Sequence, residues 1–277
     1  MRFVAALMRL FAGFVVALIS ASGAMAHPEP GSAEAHYLAN EGVLVAQDDL
    51  KILFDPIFDN GFGNFPLVPE GLREALFNGA PPYDGIDAIF VSHAHGDHFA
   101  ALDTNRYLAA HQNVRLFAPQ QAIDMMREAP GWQESFTGRT TVLAMDLHHP
   151  AELFSEADLS VTAMRVEHTG NWPEIQNIVY RVSLTSSVSV MHLGDAAGAE
   201  DNFAPYRQVL EGETTDVAFV PFWWLDNGPE LAKSLTNADE VIGIHVPIRV
   251  PESLRRSGAD FFSEPGEIRV ISPHHNH

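Results

Sequence analysis

The stretch "IDAIFVSHAHGDHF", residues 86–99, decides how the rest of the chain is read. A β-branched and aromatic run from Ile86 ends in three histidines and one aspartate, His93, His95, Asp97 and His98. The apolar part reads as a buried strand, and the cluster as the loop it delivers. Side chains two apart share a face of extended backbone, so His93 and His95 point together. Ala94 and Gly96 are small enough for a tight turn, after which Asp97 and His98 aim at a neighbouring point. The loop therefore offers two ligands to each of two adjacent metal positions.

Two ligands hold a metal poorly. A catalytic zinc ordinarily has three protein ligands and a water. Further histidine or carboxylate is thus expected at later strand ends, and three residues stand in such places. His168 closes "VTAMRVEH", Asp195 closes "SVSVMHLGD", and His245 lies near the end of "VIGIHVP". Each alone has a plainer explanation, since a strand-end histidine is commonly a satisfied polar residue and an aspartate after glycine a turn residue. The incomplete coordination at residues 93–98 is what recruits them. His192 should face away from Asp195 and reads as a packed core histidine, while His148 and His149 match no pattern. The terminal "PHHNH" reads as a solvated tail.

The surroundings are consistent with an α/β domain. "GVLVAQDDLKILFD" (42–55) reads as a hairpin turning at Asp48 and Asp49. "EGLREALF", "DTNRYLAAHQ" and "QQAIDMMREA" read as helices and "VRLFAP" as a strand, a β-α-β-α order that implies layers. Strands dominate the second half. In "NIVYRVSL", Ile178, Tyr180, Val182 and Leu184 alternate with more polar neighbours, the pattern of a half-buried strand. No Gly- or Pro-rich linker divides the chain.

Residues 1–26 stand apart. Arg2 and Arg9 precede an apolar run of ten, Leu10 to Ile19, and Ala24 and Ala26 occupy small-residue cleavage positions. This is the pattern of a secretory signal peptide, and the run is shorter than the roughly 20 residues of a membrane span. A single mature domain of residues 27–277 is expected, secreted and periplasmic, without stable membrane insertion. The chain has no cysteine, so nitrogen and oxygen are the strong ligands available to a metal. Removing Arg2 and Arg9 leaves 14 basic and 36 acidic residues, a net charge of −22. Such a surface repels phosphate backbones, which argues against nucleic acid and for a small-molecule substrate.

With "SHAHGDH" (92–98), "EHTGN", "HLGDA" and "GIHVP" in this order, the chain resembles the metallo-β-lactamase superfamily over roughly Tyr37 to Pro247. The resemblance implies an α/β fold, a four-layered αββα sandwich with metals at one edge of its two sheets. It assigns His93, His95 and His168 to one metal, Asp97, His98 and His245 to a second, and Asp195 to both. The residues alone nominate these seven without dividing them. It further implies a dinuclear hydrolase, most simply of zinc, with manganese or iron as other fits. A hydroxide would cleave a small ester, lactone or phosphodiester, with Asp97 and Asp195 as catalytic carboxylates. The opening strands and "HLGDA" look closest to the ascorbate-6-phosphate-lactonase-like group. Two other readings use the same ligands: an iron-dependent redox enzyme on this fold, and a non-catalytic periplasmic metal- or ligand-binding protein. Phe62, Phe65, Trp172, Trp223 and Trp224 are candidates for the pocket wall, with core packing as the alternative for each.

Overall fold

The computed structural model describes residues 31–156, 158–184 and 188–273. The expected leader (1–26) and most of the histidine tail lie outside the described residues. Two seven-stranded mixed sheets pack face to face. The first begins with β1 (Ala33–Ala39), β2 (Gly42–Gln47) and β3 (Leu50–Phe54). After α1 (Glu70–Asn78) come β4 (Ala88–Phe90), α2 (Ala101–Ala110), β5 (Arg115–Pro119), α3 (Gln120–Glu128) and β6 (Thr140–Leu143). The second sheet holds β7 (Glu152–Glu156), β8 (Leu159–Val166), β9 (Asn177–Leu184) and β10 (Val188–His192). After α4 (Glu200–Phe203) and α5 (Arg207–Glu211) come β11 (Thr215–Pro221), α6 (Glu230–Thr236), β12 (Ala238–Ile244), α7 (Glu252–Arg256) and β13 (Asp260–Phe261). The last strand, β14 (Ile268–Ile271), crosses back and pairs with β1 as an edge of the first sheet.

The two sheets repeat one plan: an antiparallel meander followed by parallel strands with helical crossovers. In the first, β1–β3 are antiparallel and β3–β6 parallel; in the second, β7–β10 are antiparallel and β10–β13 parallel. Parallel strands need crossovers, and the crossovers cover the outer faces. This produces the expected αββα layering. Val43, Val45, Ile52, Phe54 and Phe90 meet Ile178, Tyr180, Val190 and Phe219 between the sheets. Leu44, Leu53 and Ile89 point outward onto Tyr107, Ile123 and Met126 of α2 and α3. Met164, Val179 and Met191 do the same beneath Phe203, Leu210 and Ala232.

One expectation needs correction. β9 is not half-buried: Val179 and Arg181 are as enclosed as Ile178 and Tyr180. The strand lies between β8 and β10, and the helices cover its outer face. Arg181 is tolerated there because its guanidinium donates to the carbonyls of Val209 and Glu213. β14, from the end of the chain, completes the first sheet. β1 escapes a sequence reading because "AEAHYLA" is alanine-rich rather than β-branched. No helix among the described residues is long and apolar enough to cross a membrane.

Phe90 ties the sheets together, with ring centroids 4.8 Å from Phe117, 5.3 Å from Phe54 and 5.1 Å from Tyr180. Phe90→Ala should lower unfolding stability by about 3–5 kcal/mol, the range for a buried aromatic truncated in a core that collapses only in part. Urea unfolding of both proteins in the presence of a chelator checks it; a loss below 1 kcal/mol would show that the core repacks around the gap.

Candidate metal centre

All seven sequence-nominated residues meet at one edge of the sandwich, where β4, β8, β10 and β12 end. β4 is shorter than the predicted strand, because Val91 to His93 leave the ladder to build the site. Ser92 N donates to Asp55 Oδ1 at 2.7 Å, and Ile178 N donates to Ser92 O at 2.9 Å, which fastens the loop to the opposite sheet. A helical turn follows, with His98 N and Phe99 N both donating to His95 O at 3.0 and 2.9 Å. This turn separates the directions of Asp97 and His98 from those of His93 and His95.

Two clusters result. In the first, His93 Nε2 lies 3.1 Å from His95 Nδ1 and 3.3 Å from His168 Nε2. Asp195 Oδ2 is 3.3 Å from His168 Nε2 and 3.9 Å from His93 Nε2. In the second, Asp195 Oδ1 lies 3.4 Å from His98 Nε2 and 3.2 Å from His245 Nε2. Asp97 Oδ2 is 3.3 Å from His245 Nε2 and 3.8 Å from His98 Nε2. One carboxylate thus turns one oxygen to each cluster.

These separations suit a metal. Zinc–nitrogen bonds of 2.0–2.1 Å in a tetrahedron place ligand atoms about 3.3 Å apart. His98 Nε2, His245 Nε2 and Asp195 Oδ1 are buried and have no hydrogen-bond partner. Unmet polar atoms are costly in a protein interior, and three converging on one point fit a cation between them. The far sides of three of the rings are occupied, and His245 Nδ1 is buried without a partner. His93 Nδ1 lies 3.0 Å from Ser92 Oγ, His98 Nδ1 2.9 Å from Asp55 Oδ2, and His168 Nδ1 2.6 Å from the Thr169 carbonyl. With Nδ1 carrying the proton, each Nε2 lone pair faces the cluster.

Charge is divided between the clusters. Burial, reinforced by the neighbouring His98, holds His93 well below the ordinary imidazole range. His95 is lowered for the same first reason. Burial opposes protonation of His98 too, but Asp195, Glu41 and Asp55 outweigh it and lift His98 well above that range. His245 is raised against burial by Asp195 and Asp97. Burial opposes ionisation of Asp195, yet His245 and His98 keep its carboxyl well below the usual range.

The supporting residues were not evident from sequence. Asp55, just after β3, accepts from Ser92 and His98 and is fully buried. Its one sequence signal was a carboxylate closing an apolar strand. Asn40 bridges the second cluster: its side chain donates to Asp97 O at 2.8 Å and its carbonyl accepts from His245 N at 2.8 Å. Glu41 is fully buried, with Oε2 3.4 Å from His98 Nδ1, and joins His98, Asp195 and His245 among groups able to hold an ion. Burial raises its carboxyl above the ordinary value. Neither residue lies in a recognisable spacing. Asn177 Oδ1 accepts from Asp195 N at 3.0 Å. Gly194 has φ +53°, and a β-carbon there would come within 2.6 Å of Ser92 and Asn177, so only glycine fits before the shared aspartate.

The aromatic candidates divide. Trp224 is core, packed on Phe203, and donates to Ala196 O at 2.9 Å. Trp223 reaches the same carbonyl at 3.3 Å and also lies 5.3 Å from the His245 ring. Phe65 meets that ring edge-on at 4.0 Å. His192 is core, as expected, stacked on Phe54 and donating to Glu41 O at 3.0 Å. A hollow of about 200 Å³ opens beside His168. A larger one, of about 460 Å³ between α5 and α6, holds none of the converging residues and is not the site.

Because Asp55 fixes the His98 tautomer, Asp55→Ala should weaken metal binding at the second cluster by about 10–100-fold, the usual cost of losing such a partner. Competition with a chelator of known affinity measures it; wild-type affinity in a folded Asp55→Ala protein would remove Asp55 from this role.

Residues 51–245 match the family described as a beta-lactamase superfamily domain. An octanoyltransferase of Porphyromonas gingivalis is 30% identical over 103 residues, 36% of this chain. The chain spans only 20% of that protein's length. The anti-Pycsar protein Apyc1 of Bacillus phage vB_BsuM-Goe3 is 21% identical over 236 residues, covering 74% of this chain and 84% of the phage protein. Among solved structures, Igni18, a metallo hydrolase from Ignicoccus hospitalis KIN4/I, superposes with a TM-score of 0.59 at 18% identity, covering 87% of this chain and 99% of that one. The fold is shared with that structure, and the family match extends from β3 to His245: the chain belongs to the beta-lactamase superfamily domain family, whose metallo-hydrolase fold it has.

Proposed function

We propose that the protein is an exported, dinuclear, metal-dependent hydrolase of a small ester, lactone or phosphodiester. The observation that carries this reading is Asp195, whose two oxygens each lie within 3.4 Å of imidazole nitrogens of a different cluster. His93, His95 and His168 would hold one ion and Asp97, His98 and His245 the other, with zinc the simplest choice for a nitrogen and oxygen donor set. Two divalent ions so placed would supply a hydroxide at neutral pH and polarise the substrate oxygen. The chain's own part is to position and to move a proton. Asp97, whose Oδ2 lies 3.3 Å from His245 Nε2, would orient the attacking water and carry its proton to the leaving oxygen as the acyl or phosphoryl bond breaks. No side-chain nucleophile is required, in keeping with a chain that has no cysteine. Export is supported by Arg2, Arg9, the apolar run Leu10 to Ile19 and the Ala24 and Ala26 positions. The net charge of −22 without the leader supports a small-molecule substrate over nucleic acid.

Metal content by plasma mass spectrometry on protein ending before Pro273 should approach two ions per chain. Asp195→Ala should bring it to one or fewer and lower kcat/KM on any substrate found by at least about 10³-fold, since the residue serves both ions. A metal-replete Asp195→Ala protein with full activity would sink the shared-ligand assignment.

Loading should also depend on pH in a defined direction. His98 and His245 have raised values and are protonated in the metal-free protein just above the ordinary imidazole range. A metal entering the second cluster must displace those protons, so affinity there rises with pH until the raised values are passed. His93 and His95 have lowered values, are already neutral at pH 7 and release few protons. Calorimetric titration in buffers of different ionisation enthalpy separates the two steps; equal proton release in both would contradict the division of charge.

A further inference from the structure

Among the described residues, only two exposed large hydrophobic side chains are aromatic: Phe62, at 62% exposure, and Trp172, at 52%. Both border the metal-binding loop at consecutive residues. The tip of the Phe62 ring lies 3.8 Å from where a β-carbon on Gly96 would stand. The Trp172 ring is edge-on to His95 with centroids 6.0 Å apart. Exposed aromatic surface forfeits the gain of burial, so its restriction to this edge calls for a ligand.

Both rings are held outward by built loops. Phe62 has φ +50°, a strained value for a bulky residue, and its amide donates to Asn60 Oδ1 at 2.8 Å. Asn64 N and Phe65 N close the turn on Gly61 O at 2.9 Å. Asn60 N donates to Gly96 O at 3.2 Å, which ties this loop to the metal loop. Trp172 folds over Gly170, whose β-carbon would lie 3.3 Å from the indole. Its loop is anchored to α3 by Gln121 and Gln176, which exchange amide hydrogen bonds of 2.9 and 3.1 Å. The hollow of about 200 Å³ beneath Trp172 is lined by Leu147, Pro173 and Ile175 on its apolar side and by Glu167, His168 and Asn171 on its polar side. An apolar cavity of about 150 Å³ already accepts benzene. The segments that carry the rings, 59–66 and 167–176, contain Asp59, Glu167 and Glu174 and no lysine or arginine. These two loops offer an anionic group no cation of their own.

We propose that the substrate is an uncharged ester or lactone bearing one aryl ring, and that Trp172 and Phe62 grip that ring beside the first cluster. This rests on the hydrolase reading above and narrows it. Water adds to the carbonyl carbon, the ester C–O bond breaks, and the proton leaves with the alcohol. The test compares methyl phenylacetate with methyl acetate, which share a leaving group and differ by the ring. The zinc-loaded protein should favour the aryl ester by about 10–100-fold in kcat/KM, chiefly through KM. Phe62→Ala/Trp172→Ala should lose most of that preference while retaining wild-type zinc content, and Trp172→Tyr should keep it. A preference unchanged in the double variant, or absent in the wild type, overturns the proposal. If neither ester is cleaved, the hydrolase reading fails for esters, and binding decides the grip. Saturation-transfer NMR should then show contact between the protein and the ring of phenylacetamide that the double variant loses. No transfer in the wild type overturns the grip independently of turnover.

Discussion

A carboxylate buried among imidazoles is the constraint on which the rest of this structure depends. Asp195 is almost fully enclosed, and its charge persists there because His168, His98 and His245 each place a ring nitrogen within 3.4 Å. Removing an ion from water costs several kcal/mol, and nearby opposite charge recovers it only when the geometry is held. The holding is done from behind. Asp55, Asn40, Asn177 and the Thr169 carbonyl each fix one member of the set.

The two sheets exist, from the site's point of view, to bring strand ends together. β3 and β4 in the first sheet and β8, β10 and β12 in the second terminate at one edge, and each donates one or more polar residues immediately afterwards. A parallel strand leaves its ladder at the carboxyl end, where backbone groups are free to turn and side chains are free to converge. Cross-sheet bonds then fix the relative position of the halves. Tyr180 donates its hydroxyl to Val91 O at 2.9 Å, one residue from the start of the metal loop. His245, held at φ +56° by the Asn40 carbonyl, closes the ring from the far end of the chain.

Stability and chemistry are therefore in tension at this edge. Glu41 and the unpartnered nitrogens of His98 and His245 are unfavourable in a core unless something positive sits among them. Family membership and the division of Asp195 between two clusters give that unfavourable arrangement a purpose. The outward aromatics Phe62 and Trp172 represent a second local cost at the same place, and sites of ligand contact are where a fold departs from its own packing rules.

The sequence by itself determined the ligand set, because "HAHGDH" is a dense local pattern and an incomplete metal shell requires partners at other strand ends. It also determined the layered α/β class, through apolar strands alternating with helices. Local periodicity could not show what depends on contacts distant in the chain. The burial of β9 on both faces follows from helices that return much later, and the strand role of "AEAHYLA" follows from pairing with β14, some 230 residues away. Asp55, Asn40 and Glu41 are invisible in sequence for the same reason: each is an ordinary turn residue until the fold sets it behind a histidine. The sorting of Trp223 toward His245 and Trp224 into the core was likewise a tertiary decision. Neighbouring residues share hydrophobicity, but only packing decides which ring finds a partner.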